Sequence, residues 1–194
     1  MEMPLRAFGT WQFLGKRCEE IVETAHGVGY RHIDTAEVYR NEGAIGNAIK
    51  QSGIPRSEIF ITTKIWPSHY EREDFPKALD KCLKRLQTDY VDMLLLHQPD
   101  ELVAIEEQMD VLCEAKRSSK TKLIGVSNFS QEQVNECQKI SDYQISCNQV
   151  AWKPGIKMEN VFLSLFRTPI DLKPDGFCIV KRSSSIEHMR ENLK

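Results

Sequence analysis

Apolar positions along this 194-residue chain alternate between two patterns. Short runs of β-branched and aromatic residues give way to stretches in which apolar side chains return every three or four positions. Tyr30 to Asp34 is predicted as a strand, entered from Gly27 and Gly29. Before it, Lys16 to His26 places Cys18, Ile21, Val22 and Ala25 at near-helical spacing. After it, Asn41 to Gln51 places Ala44, Ile45, Ala48 and Ile49 on one face, and Ser52-Gly53-Ile54-Pro55 stops that helix. The alternation continues with a strand at Glu58 to Thr63 and a helix at Glu73 to Leu86, with Phe75, Leu79, Cys82, Leu83 and Leu86 inward. Pro76 suits its first turn. Val91 to Leu96 is almost unbroken in its apolarity, as a parallel strand buried on both faces is.

Glu101 to Lys116 is predicted as a helix with Leu102, Ile105, Met109 and Leu112 in step. Lys122 to Val126 is predicted as a strand, Ser130 to Lys139 as a helix capped by Ser130, and Ile145 to Val150 as a strand. A first strand lies near Arg6-Ala7-Phe8. Between Trp152 and Gly176 the rhythm fails. Prolines stand at 154, 169 and 174, and Val161 to Phe166 fits one helical turn or a short strand. Phe177 to Val180 resumes as a strand and Ile186 to Leu193 as a helix capped from Ser183 to Ser185.

Units of about 30 residues that alternate strand and helix imply right-handed crossovers and a parallel sheet. A doubly wound dinucleotide fold calls for G-x-G-x-x-G after the first strand. The chain has no such run, which favours a (β/α)8 barrel, a TIM barrel. No low-complexity tract or linker interrupts it, so residues 1–194 are expected to form a single domain.

Composition narrows the class without naming a function. Hydrophobic residues make up 41% and charged residues 28%, enough apolar material for a sizeable core. The net charge of -2 gives no general basic field, so neither nucleic acid nor an anionic membrane is expected as a partner. No apolar run approaches the ~18 residues of a membrane span. MEMPLRAFGTW at the N-terminus lacks the apolar stretch of a signal peptide. Cys18, Cys82, Cys113, Cys137, Cys147 and Cys178 form no CxxC pair. That argues against a zinc cage or any metal site and against a disulfide framework, and points to a reducing, cytoplasmic compartment.

A barrel carries its chemistry where strands end, on the C-terminal face. Asp34 ends the second predicted strand, with Tyr39 five residues on. Lys64 ends the third, His97 the fourth, Ser127 and Asn128 the fifth, and Asn148 and Gln149 lie near the end of the sixth. Taken singly, Asp34 could cap a turn, His97 could be a satisfied core histidine and Lys64 could be a surface residue. Four ionisable groups at successive strand ends share one rim, which a structural explanation does not require.

These residues lie in recognisable surroundings. His32-Ile33-Asp34-Thr35-Ala36-Glu37-Val38-Tyr39 resembles the signature of the aldo-keto reductases. So do Gly43 to Ile49, Ile61 to Trp66, Tyr90 to Pro99, Ile124 to Phe129 and Asn148-Gln149-Val150. Arg182-Ser183-Ser184-Ser185 followed by Arg190-Glu191-Asn192 is a further match. The resemblance runs from Met3 to Pro154 and returns at about Phe177. It implies a (β/α)8 barrel that reduces the carbonyl of an aldehyde or ketone, a small-molecule substrate, with NADPH. The catalytic residues it implies are Asp34, Tyr39, Lys64 and His97.

Elementary chemistry agrees with that assignment. Hydride delivery to a carbonyl carbon leaves an alkoxide that needs a proton, and Tyr39 can give one. Lys64 is expected to lower the tyrosine's ordinary pKa of ~10, Asp34 to hold Lys64, and His97 to orient the carbonyl. By the same resemblance Ser127, Asn128 and Gln149 hold the nicotinamide carboxamide, and Gly9 and Thr10 lie beside the cofactor. Arg182 and Ser183 meet the adenosine 2′-phosphate, and Glu191 and Asn192 the adenine side. Trp11 and Trp66, with Trp152, line an apolar substrate mouth.

The chain departs from the pattern in length, since family members usually run to about 300 residues. The interval 155–178 is too short for a full βα unit of ~30 residues. About one such unit and the C-terminal specificity loop are expected to be missing. With them would go the aromatic that stacks on the nicotinamide and the small-residue loop over the pyrophosphate. The strands at Ile145 to Val150 and Phe177 to Val180 are then expected either to pair directly or to flank an open gap. Open edges would favour self-association. Two other functional classes remain as alternatives. One is a truncated, catalytically impaired barrel acting as a nucleotide-binding or interaction subunit. The other is a Schiff-base aldolase using Lys64, against which Tyr39 and the phosphate motif argue.

Overall fold

The computed structural model describes residues 3–151, 161–165 and 178–194. Eight parallel strands close into a barrel in sequence order. Strand β1 (Arg6–Gly9) leads to helix α1 (Gly15–Val28), β2 (His32–Asp34) to α2 (Glu42–Ser52), and β3 (Phe60–Ile65) to α3 (Phe75–Leu86). Then come β4 (Val91–Leu96), α4 (Ile105–Arg117), β5 (Thr121–Ser127), α5 (Gln131–Ile140), β6 (Ile145–Ala151), β7 (Val161–Leu165), β8 (Ile179–Lys181) and α6 (Ile186–Leu193). Among the described residues no helix is long and apolar enough to cross a membrane.

The barrel fold is as expected, an incomplete (β/α)8 barrel; at the shortened segment neither of the two expected arrangements, direct pairing of the flanking strands or an open gap, is found, because a further strand lies between them. Residues 161–165 form β7, which pairs with β6 through Asn148 and Val161 and with β8 through Leu163 and Ile179. The ring is sealed where β1 meets β8, with Arg6 opposite Ile179 and Phe8 opposite Lys181. Each of the eight strands is thus paired on both sides. The shortening shows instead in the connections. Residues 152–160 alone join β6 to β7, fewer than the dozen or so that a parallel crossover ordinarily uses. Six α-helices, not eight, surround the ring among the described residues.

Two packed layers hold the structure. Inside the ring lie Ala7, Phe60, Met93, Leu95, Cys147, Cys178 and Val180, so the barrel is filled by side chains. Outside, β4 contributes Val91, Leu94 and Leu96 to the sheet–helix core, where α3 adds Phe75, Leu79, Cys82 and Leu86. All six cysteines are buried free thiols. Helix α6 is docked onto the first βα unit, with the Tyr30 hydroxyl donating to the Met189 carbonyl at 3.3 Å.

Ser130 caps α5 reciprocally. Its hydroxyl accepts from the Gln133 N–H while Gln133 reaches back to the Ser130 N–H. Helix α4 begins later than its apolar spacing suggests, and Leu102 is 94% exposed instead of inward. The Asp100 carboxylate accepts from the N–H groups of Leu102 and Val103 at 2.7 and 3.0 Å. That local turn outcompetes helical bonding over those residues.

A close helix contact explains one glycine. A Cβ on Gly46 of α2 would lie 2.7 Å from the Arg85 carbonyl oxygen and 2.8 Å from that of Leu86. Both are backbone atoms of α3 and cannot rotate away. Gly46→Ala gains about 1 kcal/mol of helix propensity but forces the helices apart, and overpacking costs about 1–3 kcal/mol or more. We expect a net destabilisation, read as a lower urea midpoint. An unchanged or raised midpoint would mean that α2 and α3 separate freely.

Candidate active site

Strands β2, β3, β5 and β6 deliver polar groups at the C-terminal rim. Lys64 is the fifth residue of β3, and its ammonium donates to Asp34 Oδ1 and to the Thr35 carbonyl, both at 2.8 Å. Asp34 ends β2. Its other oxygen, Oδ2, accepts from Gln149 Nε2 of β6 at 2.9 Å. Lys64, Asp34 and Gln149 are all buried, so this three-residue chain spans the barrel in a low dielectric.

Tyr39 closes a 3-10 turn over Glu37–Tyr39. Its ring lies 5.3 Å from the Lys64 ammonium. His97 follows β4 and stands edge-on to Tyr39, with ring centroids 5.7 Å apart, and edge-on to Trp66 at 5.0 Å. The Asn128 amide donates to the His97 carbonyl at 3.1 Å and to Ser127 Oγ at 3.2 Å, and Ser127 Oγ donates to the Gln149 carbonyl at 2.7 Å. The structure thus brings Asp34, Tyr39, Lys64, His97, Trp66, Ser127, Asn128 and Gln149 to one end of the barrel.

Burial and charge set the protonation states. Burial pulls the Lys64 ammonium down, but the Asp34 carboxylate and Tyr39 outweigh it and hold its pKa above the ordinary value. For Tyr39 the balance differs from the sequence expectation. Burial of the phenol raises its pKa above the ordinary value, and the opposing pull of Lys64 is smaller. Tyr39 therefore keeps its proton at neutral pH. His97 is pushed down to about 3 by burial and by Lys64, so its ring is neutral.

Two further histidines behave alike. Burial takes His32 and His26 to about 4. His32 sits inside the barrel between Thr62 Oγ1 at 2.8 Å and the Pro4 carbonyl at 3.1 Å. An unfolded histidine titrates near 6.5. Between that value and the folded ones the unfolded chain binds more protons, so stability should fall as pH drops through this window. The slope is at most about 1.4 kcal/mol per pH unit for each ring. Urea midpoints measured from about pH 7 down to about pH 4 check this. A flat profile would mean that these rings protonate freely in the folded state.

Two buried atoms of this site, His97 Nδ1 and Gln149 Oε1, have no hydrogen-bond partner among the described residues. Gln149 is 3% exposed. Because Asp34 accepts from Nε2, the amide cannot flip without placing oxygen against carboxylate. Gln149 therefore presents an acceptor to the rim beside Ser127, which suits an amide N–H donor such as a nicotinamide carboxamide.

The remaining predicted residues lie on the β1–β8 side. Gly9 ends β1, where a Cβ would meet Val180 Cγ1 at 3.1 Å. Thr10 is buried, and its N–H and hydroxyl both donate to the Asp34 carbonyl, at 3.0 and 2.9 Å. Trp11 is 41% exposed. Arg182 donates to the Trp11 carbonyl at 2.8 Å and to Gln12 Oε1. Ser183 Oγ accepts from the Ser185 N–H at 3.0 Å, and Ser185 caps α6. Glu191 and Asn192 lie on α6. Trp152 falls outside the described residues, as does most of the interval 155–178 from which the stacking aromatic and the pyrophosphate loop were expected to be missing.

Two site residues were not singled out from the sequence, although Glu37 stands within the quoted signature. Asn41 is buried, donates from Nδ2 to the carbonyls of Thr10 and Phe13 at 2.9 and 3.0 Å, and accepts from Thr35 Oγ1 at 2.7 Å. Glu37 accepts from the Trp66 N–H at 3.2 Å and lies 3.0 Å from His69 Nδ1. Glu37 opens the 3-10 turn that Tyr39 closes, and Asn41 lies two residues beyond it, so nearness to Tyr39 is the hint the sequence offers for Asn41.

An eight-stranded parallel barrel with a buried Lys–Asp pair, a tyrosine and a histidine at its C-terminal rim defines a TIM-barrel site built for proton and charge control. The chain belongs to the aldo/keto reductase family, whose model matches residues 7–167. It is 38% identical over 164 residues to methylglyoxal reductase DkgB of Salmonella typhi, covering 83% of this chain and 61% of that one. It is 40% identical over 157 residues to glycerol 2-dehydrogenase (NADP(+)) of Saccharomyces cerevisiae, covering 66% and 49% respectively. Among solved structures it is similar to a putative 2,5-diketo-D-gluconic acid reductase B, with a TM-score of 0.90 and 29% identity over 98% of this chain and 81% of that one. The chain thus spans about 61% of the length of the Salmonella relative. Arg182, Ser183, Glu191 and Asn192 lie beyond the matched residues 7–167.

Proposed function

We propose that this chain reduces aldehyde or ketone carbonyls to alcohols, with NADPH as the reductant and Tyr39 as the general acid. The observation that carries the reading is the buried Lys64–Asp34 pair at 2.8 Å beneath the Tyr39 ring. A charged pair held there has no packing purpose that apolar residues would not serve as well. When bound, the cofactor supplies a hydride.

The residues do the rest. Tyr39, protonated at neutral pH, donates its phenolic proton to the oxygen that has gained charge. The Lys64 ammonium, fixed by Asp34 and the Thr35 carbonyl, stabilises the phenolate left behind. Neutral His97 hydrogen-bonds the carbonyl oxygen and orients it toward Tyr39. Gln149 Oε1, Ser127 and Asn128 hold the carboxamide, while Gly9 and Thr10 border the cofactor. Trp11 and Trp66 flank an apolar mouth for a small carbonyl compound. Arg182 and Ser183 meet the 2′-phosphate, and Glu191 and Asn192 the adenine side. The six buried thiols suit a reducing, cytoplasmic compartment.

The test is NADPH oxidation that depends on added methylglyoxal. One charge-assisted hydrogen bond is worth about 1.5–3 kcal/mol, so NADPH should be favoured over NADH by about tenfold or more. Arg182→Ala should narrow that ratio. A ratio unchanged by the substitution would place the phosphate elsewhere, and the absence of carbonyl-dependent oxidation would remove the reading.

A further inference from the structure

An asparagine just before a helix ordinarily turns its side chain onto the free N–H groups of the first turn. Asn41 stands there before α2 and makes no such bond. Its carboxamide serves the rim instead. Nδ2 donates to the Thr10 and Phe13 carbonyls of the loop after β1, and Oδ1 accepts from the Thr35 hydroxyl at 2.7 Å. Asn41, Thr35 and Thr10 are all buried.

Thr35 and Asn41 flank the turn that carries Tyr39. Within it the Tyr39 N–H donates to the Ala36 carbonyl at 3.0 Å, and the Arg40 N–H to that of Glu37 at 3.2 Å. Among the described residues the backbone of Ala36 to Arg40 makes no hydrogen bond outside the turn. Arg40 has φ 57, in the left-handed region that residues bearing a Cβ disfavour. A turn strained in this way keeps its shape where its surroundings impose it. At the crown, the Glu37 carboxylate accepts from the Trp66 N–H. At the neck, each end has its own anchor. The Thr35 N–H donates to the Thr62 carbonyl at 2.9 Å, and the Ile45 N–H of α2 to the Asn41 carbonyl at 3.1 Å. The Thr35–Asn41 side-chain bond joins the two anchored ends.

The neck matters because the ammonium beneath the phenol is held from the strands. Lys64 is bonded to Asp34 and to the Thr35 carbonyl and lies 5.3 Å from the Tyr39 ring. A turn that shifts on its neck carries the phenol away from Lys64 and from His97, whose ring stands edge-on at 5.7 Å. Reaction rates fall steeply with such misplacement.

We propose that Asn41 is the positioning residue for the Tyr39 phenol: it staples the two ends of the turn and pins them to the loop after β1. The inference rests on the reading that Tyr39 is the general acid, and adds the group that places it.

The experiment uses the full chain labelled with carbon-13 at tyrosine Cζ, with the Tyr39 resonance assigned by its absence in Tyr39→Phe. Thr35→Val removes the staple and leaves the Asn41 grip on the loop after β1. It should move the Tyr39 resonance and lower kcat by about tenfold to a hundredfold, with NADPH affinity near that of the parent. Thr35→Ser keeps the hydroxyl and should recover most of both effects. Asn41→Ala should lower kcat at least as far, and Thr35→Val added to it should change nothing further. Where Asn41→Ala does not fold, the Thr35 pair decides alone. A merely structural bond would lower the urea midpoint and leave the resonance and kcat of the folded protein in place. In an active parent, either a Tyr39 resonance or a kcat unmoved by Thr35→Val would overturn the inference, as would a Thr35→Ser protein as slow as Thr35→Val. A parent without carbonyl-dependent NADPH oxidation would remove the general-acid reading. The resonance would then decide by itself whether Asn41 places the phenol.

Discussion

Tyr39→Phe should lower carbonyl reduction by about 10²–10⁴-fold, the usual effect of removing a general acid, while NADPH binding stays near that of the parent. The phenol ring and its edge-on contact with His97 persist in the variant, and only the proton is lost. Lys64→Met should cause a comparable loss for a different reason. Burial already holds the Tyr39 proton tightly, and without the ammonium nothing stabilises the phenolate that proton transfer creates. The two variants separate in a pH profile. Tyr39→Phe should leave a low, flat residual rate, whereas the residual rate of Lys64→Met should depend on pH through the tyrosine. Steady-state rates with one aldehyde, together with cofactor titrations, decide the matter. Near-normal turnover in Tyr39→Phe would remove Tyr39 from the chemistry.

Loss of the Asp34 carboxylate should produce the largest change in stability. Lys64 is 2% exposed, and its charge is met by Asp34 and one carbonyl. Breaking a buried pair from one side costs about 3–5 kcal/mol, because the remaining charge has lost its partner. Asp34→Ala should therefore lower the unfolding free energy by about that much, and Asp34→Asn by less. Adding Lys64→Met to Asp34→Asn should recover part of the loss, since it removes the stranded charge.

The alkaline side gives an independent check. The folded Lys64 pKa lies above its unfolded value. The stability it contributes is thus present below about pH 10.4 and is lost as pH rises through the folded value. In Asp34→Asn the Lys64 pKa falls, so that alkaline loss should begin at lower pH. An Asp34→Asn/Lys64→Met protein no more stable than Asp34→Asn would show that the pair is not an isolated charge couple.

How much of this was legible in the chain depended on whether local or distant groups decided each feature. Val91–Leu96 and Ile186–Leu193 have the same bounds in the sequence and in the structure. Burial on both faces leaves an unbroken apolar run in the first, and a serine cap marks the second. β7 was ambiguous because five residues are too few to show a period. Pairing with β6 and β8 made it a strand, and that pairing is absent from local sequence. Leu102 was misplaced because a carboxylate two residues before it captured the backbone donors.

Asp34, Lys64 and His97 were legible because a barrel collects its strand ends on one rim. Their electrostatic balance was not, since the depth of burial of the Tyr39 phenol is a property of the whole fold. The contacts of Asn41 and of Arg182 with the loop after β1 were hidden for the same reason. The carbonyls to which these two side chains donate lie 28 or more residues away along the chain, and neither polar side chain follows a helical or strand period.

The central claim is that the chain moves a hydride from NADPH to a carbonyl carbon and a proton from Tyr39 to its oxygen. The most direct measurement uses NADPH carrying deuterium at the transferable C4 position, with methylglyoxal as acceptor and mass analysis of the alcohol formed. One deuterium should appear on the carbinol carbon of the product formed by the parent chain, and the yield of that product should be strongly reduced in Tyr39→Phe. A folded parent chain that binds NADPH but yields no labelled alcohol would contradict it.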